Sequence, residues 1–155
     1  MTGRIGYWWG IPGAVLAGAG APLRRRMFEY GKAVGIAFQL MDDVLDYAGT
    51  EKDLGKRPLQ DLREGKITLP LIHASREARD GDRRKAGEIL DRRKFNDREV
   101  SFLAGLVARN GGLDYTSRRA RYFVERGKRH LGVLPDSPAR DGLAALSDYI
   151  VSRTH

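Results

Sequence analysis

The 155 residues contain no cysteine, which excludes disulfides, thiolate metal sites and a cysteine nucleophile. Histidine is scarce as well. His73, His130 and His155 stand far apart, none at ligand spacing with another, so no histidine-built metal centre is expected. Long hydrophobic runs are missing. The opening IGYWWGIPGAVLAGAGA carries no charge from Ile5 to Ala21, yet it is shorter than the roughly 20 residues a bilayer span needs, and Pro12 interrupts it. No transmembrane segment is therefore expected. With only Arg4 as a basic flank it makes a poor secretory leader; a small-residue core helix is the expected structure, with Trp8 and Trp9 packed against a neighbouring helix or subunit. There is no strand-like alternation, internal repeat or low-complexity tract.

What is present is charge and helical periodicity. Hydrophobic residues make up 41% and charged residues 31% of the chain, the balance of a soluble globular protein, and the length suits one domain over 1–155. The net charge of +8 favours an acidic partner. The arginines, however, come as dispersed groups such as Arg24-Arg25-Arg26, Arg83-Arg84 and Arg118-Arg119, which read as solvated helix faces. Zinc-finger spacing, an aromatic RNA-binding strand and a P-loop are all absent, so nucleic acid is not an expected partner.

Apolar residues recur at spacings of three and four. Leu23, Met27, Tyr30, Val34, Phe38, Met41 and Leu45 draw one long stripe from Pro22 to Gly49. A polar loop follows, then a helix from Thr68–Pro70 to about Ala78. Asp82 is the expected cap of the next helix, and Asn96 of one through Val100, Leu103, Leu106 and Val107. Asn110-Gly111-Gly112 ends that helix. Two more follow, one carrying Leu113 to Leu131 and one carrying Leu143 to Ile150. The chain is all-α.

The long stripe runs into FQLMDDVLDY, residues 38 to 47. On a helix Asp42, Asp43 and Asp46 share one side, where like charges repel by a few tenths of a kcal/mol per pair. A hard divalent cation reverses that sign. Magnesium takes oxygen ligands and commonly joins one or two carboxylates to substrate phosphates. Gln39, one turn earlier, is placed to hold a metal water or a phosphate oxygen. The loop beyond presents Lys56, Arg57, Asp61 and Lys66, cations interleaved with an acid, in the manner of a phosphate clamp.

Taken together, GAVLAGA, YGKAVGIAFQLMDDVLDY, LGKRPLQDLREGKITLPLI and LPDSPARDGLAALSDYIVSR resemble the C-terminal half of trans-isoprenyl (polyprenyl) diphosphate synthases. The closing segment looks most like the long-chain quinone side-chain members, such as octaprenyl diphosphate synthases. The resemblance implies the C-terminal part of the isoprenoid synthase helical bundle, in a cytoplasmic, magnesium-dependent prenyltransferase that condenses isopentenyl diphosphate with an allylic diphosphate. It implies Asp42 and Asp43 as metal-binding residues, with Asp46 supporting the metal-water shell. Lys56 and Lys66 match lysines that bind the allylic diphosphate, Phe38 and Gln39 match the pair facing isopentenyl diphosphate, and Asp61 matches an acid that orients a lysine. A homodimer is the expected assembly. DDVLD followed by EGKITLP resembles the chain-elongating branch of the fold rather than the terpene cyclases.

One departure stands beside the match. The family's first aspartate-rich motif, with its following arginines, is not found in residues 1–155, and the family's Lys-Thr pair aligns with Met1 and Thr2. The expectation is a C-terminal half that is inactive by itself. The alternative is a non-catalytic partner or regulatory subunit of a full-length synthase.

Overall fold

A computed structural model describes residues 11–48, 58–92 and 94–153. Trp8, Trp9, Lys56, Arg57 and His155 lie outside the described residues. Those residues form helices and no strand: α1 (Ile11–Leu16), α2 (Ala21–Ala48), α3 (Gln60–Arg63), α4 (Leu69–Glu77), α5 (Asp80–Asp91), α6 (Asp97–Arg109), α7 (Gly112–Lys128), a 3-10 turn (Arg129–Val133) and α8 (Pro138–Ser152). The all-α expectation holds.

The chain divides into two compact units, one comprising residues 1–41 and 119–153, the other Asp42–Arg118. In the first, α2 is buried along Tyr30, Ala33, Ala37, Leu40 and Met41. Of the anticipated stripe Tyr30 and Met41 are buried, Leu23, Met27, Val34 and Leu45 are half-buried, and Phe38 is 40% exposed. The reason is close helix approach. A methyl built on Gly127 of α7 would lie 3.3 Å from Ala33 Cβ and 3.4 Å from Val34 Cγ2, so the inner face of α2 is set by its small residues rather than its large ones. The Tyr30 hydroxyl donates to the Leu143 carbonyl at 2.8 Å and lies 3.0 Å from Ser147 Oγ, fastening α8 to α2. In α1, within the described part of the opening segment, Val15 and Leu16 are exposed rather than in a core; residues 5–10 of that expected helix lie outside the described residues.

The second unit has its own core. Leu71, Ala74 and Ala78 of the α4 stretch pack with Ala86 and Ile89 of α5 and with Val100, Leu103, Leu106 and Val107 of α6, joined by Leu62 of α3. Helix α5 begins at Asp80, two residues before the anticipated Asp82, and no side chain caps it. Arg83 holds the turn instead, donating to the Arg76 and Ala78 carbonyls, both at 3.0 Å.

Helix α6 starts where its sequence says. Asn96 Oδ1 accepts from the Glu99 N–H at 3.0 Å, and the Glu99 carboxylate accepts from the Asn96 N–H at 2.9 Å, a capping box. That backbone hydrogen bond, assisted by Arg92, lowers the Glu99 pKa. A lowered carboxylate pKa stabilises the fold above the unfolded-state value, and the benefit is lost as pH falls through the folded-state value. Asn96→Ala should cost about 0.5–2 kcal/mol at neutral pH. Glu99→Gln, which removes the titrating carboxyl, should shrink the extra loss of stability on acidification, both effects read from urea midpoints at neutral and acid pH.

Candidate functional site

The last two turns of α2 carry Asp42, Asp43 and Asp46. Asp42 is half-buried, Asp43 is 7% exposed and Asp46 1%. Met41 and Val44 are buried beside them, so the acids sit in an apolar setting that penalises uncompensated charge. The helix itself adds to the penalty. No basic residue lies in the last turn of α2, and carboxylates there oppose the negative end of the helix dipole.

Part of the compensation comes from the chain that returns to the helix. Leu59 sits at φ 61, the left-handed region, a conformation leucine rarely adopts. Its N–H donates to the Asp46 carbonyl at 2.8 Å. Two residues later the Asp61 N–H donates to Asp46 Oδ2 at 3.1 Å. The single turn of α3 follows, anchored by fully buried Leu62. Gly65, at φ 76, lets the chain fold back so that the Lys66 N–H reaches the Asp61 carbonyl at 2.9 Å. Lys66 Nζ then donates to Asp61 Oδ1 at 2.7 Å and pairs with Glu64 Oε2 at 2.8 Å. The Asp61 bond, with Glu64 second, holds the lysine pKa above its ordinary value. Asp46, Asp61 and Lys66 thus form one bonded chain.

Tyr47 belongs to this cluster and was not singled out by its sequence position. Its hydroxyl is buried and makes no hydrogen bond of normal length. Burial raises the phenol pKa above its usual value; nearby Thr68 opposes that, and the charges of Asp46, Asp43 and Asp61 add to it. Thr68 is the N-cap of α4, yet its side chain makes no capping bond. The signal in the sequence was a polar-tipped aromatic directly after the acidic run, where an aliphatic residue would fill the same space without a buried hydroxyl.

Phe38 and Gln39 belong to the other unit. The exposed Phe38 ring lies under the Arg153 guanidinium, 4.7 Å from its centroid, a cation–π contact. Elsewhere His73 stacks on Tyr115 with centroids 3.9 Å apart, a packing role.

Among the described residues no three acidic or histidine side chains gather tightly enough to form a metal cage. Asp46 is engaged with the Asp61 N–H instead. The donor set still fits a hard divalent cation of the magnesium type, because that ion needs only one or two carboxylates when phosphate oxygens complete its shell. Asp42 and Asp43 are two carboxylates of that kind.

The sequence matches the family model described as polyprenyl synthetase over residues 11–106. The chain belongs to the polyprenyl synthetase family. It is 39% identical over 143 residues to a geranylfarnesyl diphosphate synthase of Aeropyrum pernix, a match covering 91% of this chain and 44% of that one. It is 33% identical to the octaprenyl diphosphate synthase of Haemophilus influenzae, across 99% of this chain and 46% of that one. Among solved structures, the polyprenyl synthase of Caulobacter crescentus, complexed with calcium and isoprenyl diphosphate, superposes with a TM-score of 0.84 at 34% identity, covering 92% of this chain and 44% of that one. This polyprenyl synthetase chain therefore spans less than half the length of the relatives it matches. Among its described residues no helix is long and apolar enough to cross a membrane.

Proposed function

We propose that the chain is the C-terminal half of a polyprenyl diphosphate synthase, folded as one all-α domain and contributing one face of a metal–diphosphate site. The observation that carries this reading is the bonded chain from Asp46 through Asp61 to Lys66, which ties a phosphate-binding lysine to the helix that carries Asp42 and Asp43. In the proposed reaction the allylic C–O bond breaks and diphosphate leaves with the electron pair. The double bond of isopentenyl diphosphate attacks the allylic carbon, a C–C bond forms and a proton is lost.

Asp42 and Asp43 would hold magnesium, with Asp46 supporting its water shell. Bound magnesium supplies positive charge to the departing diphosphate. Lys66, held by Asp61, and Lys56 grip the same diphosphate, and their charge counts for more where water is excluded. Gln39 and Phe38 face isopentenyl diphosphate. The assembly is proposed to be a homodimer.

Residues 1–155 contain one aspartate-rich motif, and one face neutralises the leaving group from one side only. Incubating the purified chain with labelled isopentenyl diphosphate, an allylic diphosphate primer and magnesium should give little or no elongated product. Robust elongation would show that this sequence is catalytically self-sufficient and would refute the one-face reading.

A further inference from the structure

We propose that an open groove at the start of α2 is a binding site for a phosphate-bearing anion, separate from the aspartate end of the helix. The groove encloses about 740 Å³. Its charged wall is Arg25, Arg26 and Glu29 of α2, Arg126 of α7 and His130 of the 3-10 turn, with Ala21 and Pro22 completing the lining. All these residues belong to the same unit. Arg26 and Phe38 stand on one helix, twelve residues apart, about 18 Å at the helical rise.

Two observations point to an anion. The first is the distribution of ion pairs. Several cations of this unit have partners: Lys128 binds Asp148 and Glu125, Arg140 binds Asp136, and Arg119 and Arg153 lie over aromatic rings. Among the described residues no ion pair joins Arg25, Arg26 or Arg126 to an acid, and Arg26 Nη1 faces His130 Nδ1 at 3.5 Å. Three arginines thus line the groove, with a single carboxylate, Glu29, among the described lining residues. The second is helix polarity. The first turn of α2 has no acidic residue, and Arg24, Arg25 and Arg26 follow it directly, at the end where the helix dipole already favours negative charge. An anion in the groove satisfies both the dipole and the guanidiniums. Arginine's planar fork suits phosphate oxygens in particular. The source is either a soluble phosphate compound or the headgroup of an anionic lipid.

The test uses the full chain with EDTA present, so that a metal-dependent diphosphate site is silent. One arm titrates inorganic pyrophosphate by calorimetry. The other floats the protein with phosphatidylcholine vesicles, with and without phosphatidylglycerol. At least one probe should bind, weakening as salt rises. R25Q/R26Q/R126Q should weaken binding at least about tenfold, whereas the charge-matched R84Q/R98Q/R118Q should retain it. Glu29→Gln, which removes the only carboxylate, should tighten it, and serves if the triple variant folds poorly. Pyrophosphate binding identifies a soluble ligand, and binding confined to phosphatidylglycerol vesicles identifies a lipid headgroup; either supports the site. Failure of both probes, equal losses in the two triple variants, or retention of a nucleic-acid duplex alone overturns it.

Discussion

Gly112→Ala is expected to unfold the unit formed by Asp42–Arg118 under conditions where the unmodified chain is folded. A β-carbon at position 112 would stand 2.4 Å from the Pro70 carbonyl oxygen, 3.1 Å from its carbon and 3.0 Å from Val107 Cγ1. The first two are backbone atoms in the opening turn of α4, and Pro70 is buried. A rotamer change cannot relieve that overlap, so α7 must separate from α4 or the core must open. Overpacking against backbone places the cost at about 3 kcal/mol or more. Gly87 supplies the contrast. It lies inside α5 with nothing within 4 Å of a built methyl, so Gly87→Ala should instead stabilise by up to about 1 kcal/mol through helix propensity. Urea midpoints for the two variants should move in opposite directions.

The second large effect is assigned to Asp46. This residue is 1% exposed, and its Oδ2 and carbonyl accept the N–H groups of Asp61 and Leu59. Removing a charged acceptor and leaving its donor without a partner costs about 1.5–3 kcal/mol. Asp46→Ala should therefore lower the stability of the ligand-free protein by that amount. Asp46→Asn, which keeps an acceptor oxygen, should lower it by less. Asp42, being half-buried, should tolerate Asn with little loss of stability. The comparison tests whether Asp46 holds the returning loop in addition to its proposed part in the metal site. Thermal melts of the single variants without added metal read the difference directly.

The parts of the fold that were legible in the sequence are those written in local chemistry. The Thr68–Pro70 start of α4, the Asn96 box and the Asn110-Gly111-Gly112 break all use residues within a turn of the boundary they mark; the expected end of the long stripe at Gly49 lies outside the described residues. The misplaced features depend on distant partners. Phe38 continues the pattern of large apolar residues along α2, but burial went to Ala33 and Ala37 because Gly127 brings another helix close. Asp82 has the right chemistry for a cap, yet Arg83 satisfied the preceding carbonyls and α5 began earlier. At the candidate site, the acidic run and the lysine loop were visible as motifs. The link between them was not, because it runs through the backbone N–H of Asp61 and a left-handed Leu59. Tyr47 escaped notice for a related reason, since its significance is an unbonded hydroxyl created only by packing.

The central claim is that Asp42 and Asp43 form one face of a magnesium–diphosphate site. Calorimetric titration of the chain with pyrophosphate at a fixed salt concentration, with magnesium and then with EDTA, tests it most directly. R25Q/R26Q/R126Q serves as the background, so that the basic groove does not contribute. Magnesium should produce a binding signal that EDTA abolishes, and Asp42→Asn with Asp43→Asn should remove that signal in a variant that a cooperative thermal melt shows to be folded. Magnesium-dependent binding that persists at full strength in the double variant would contradict the account.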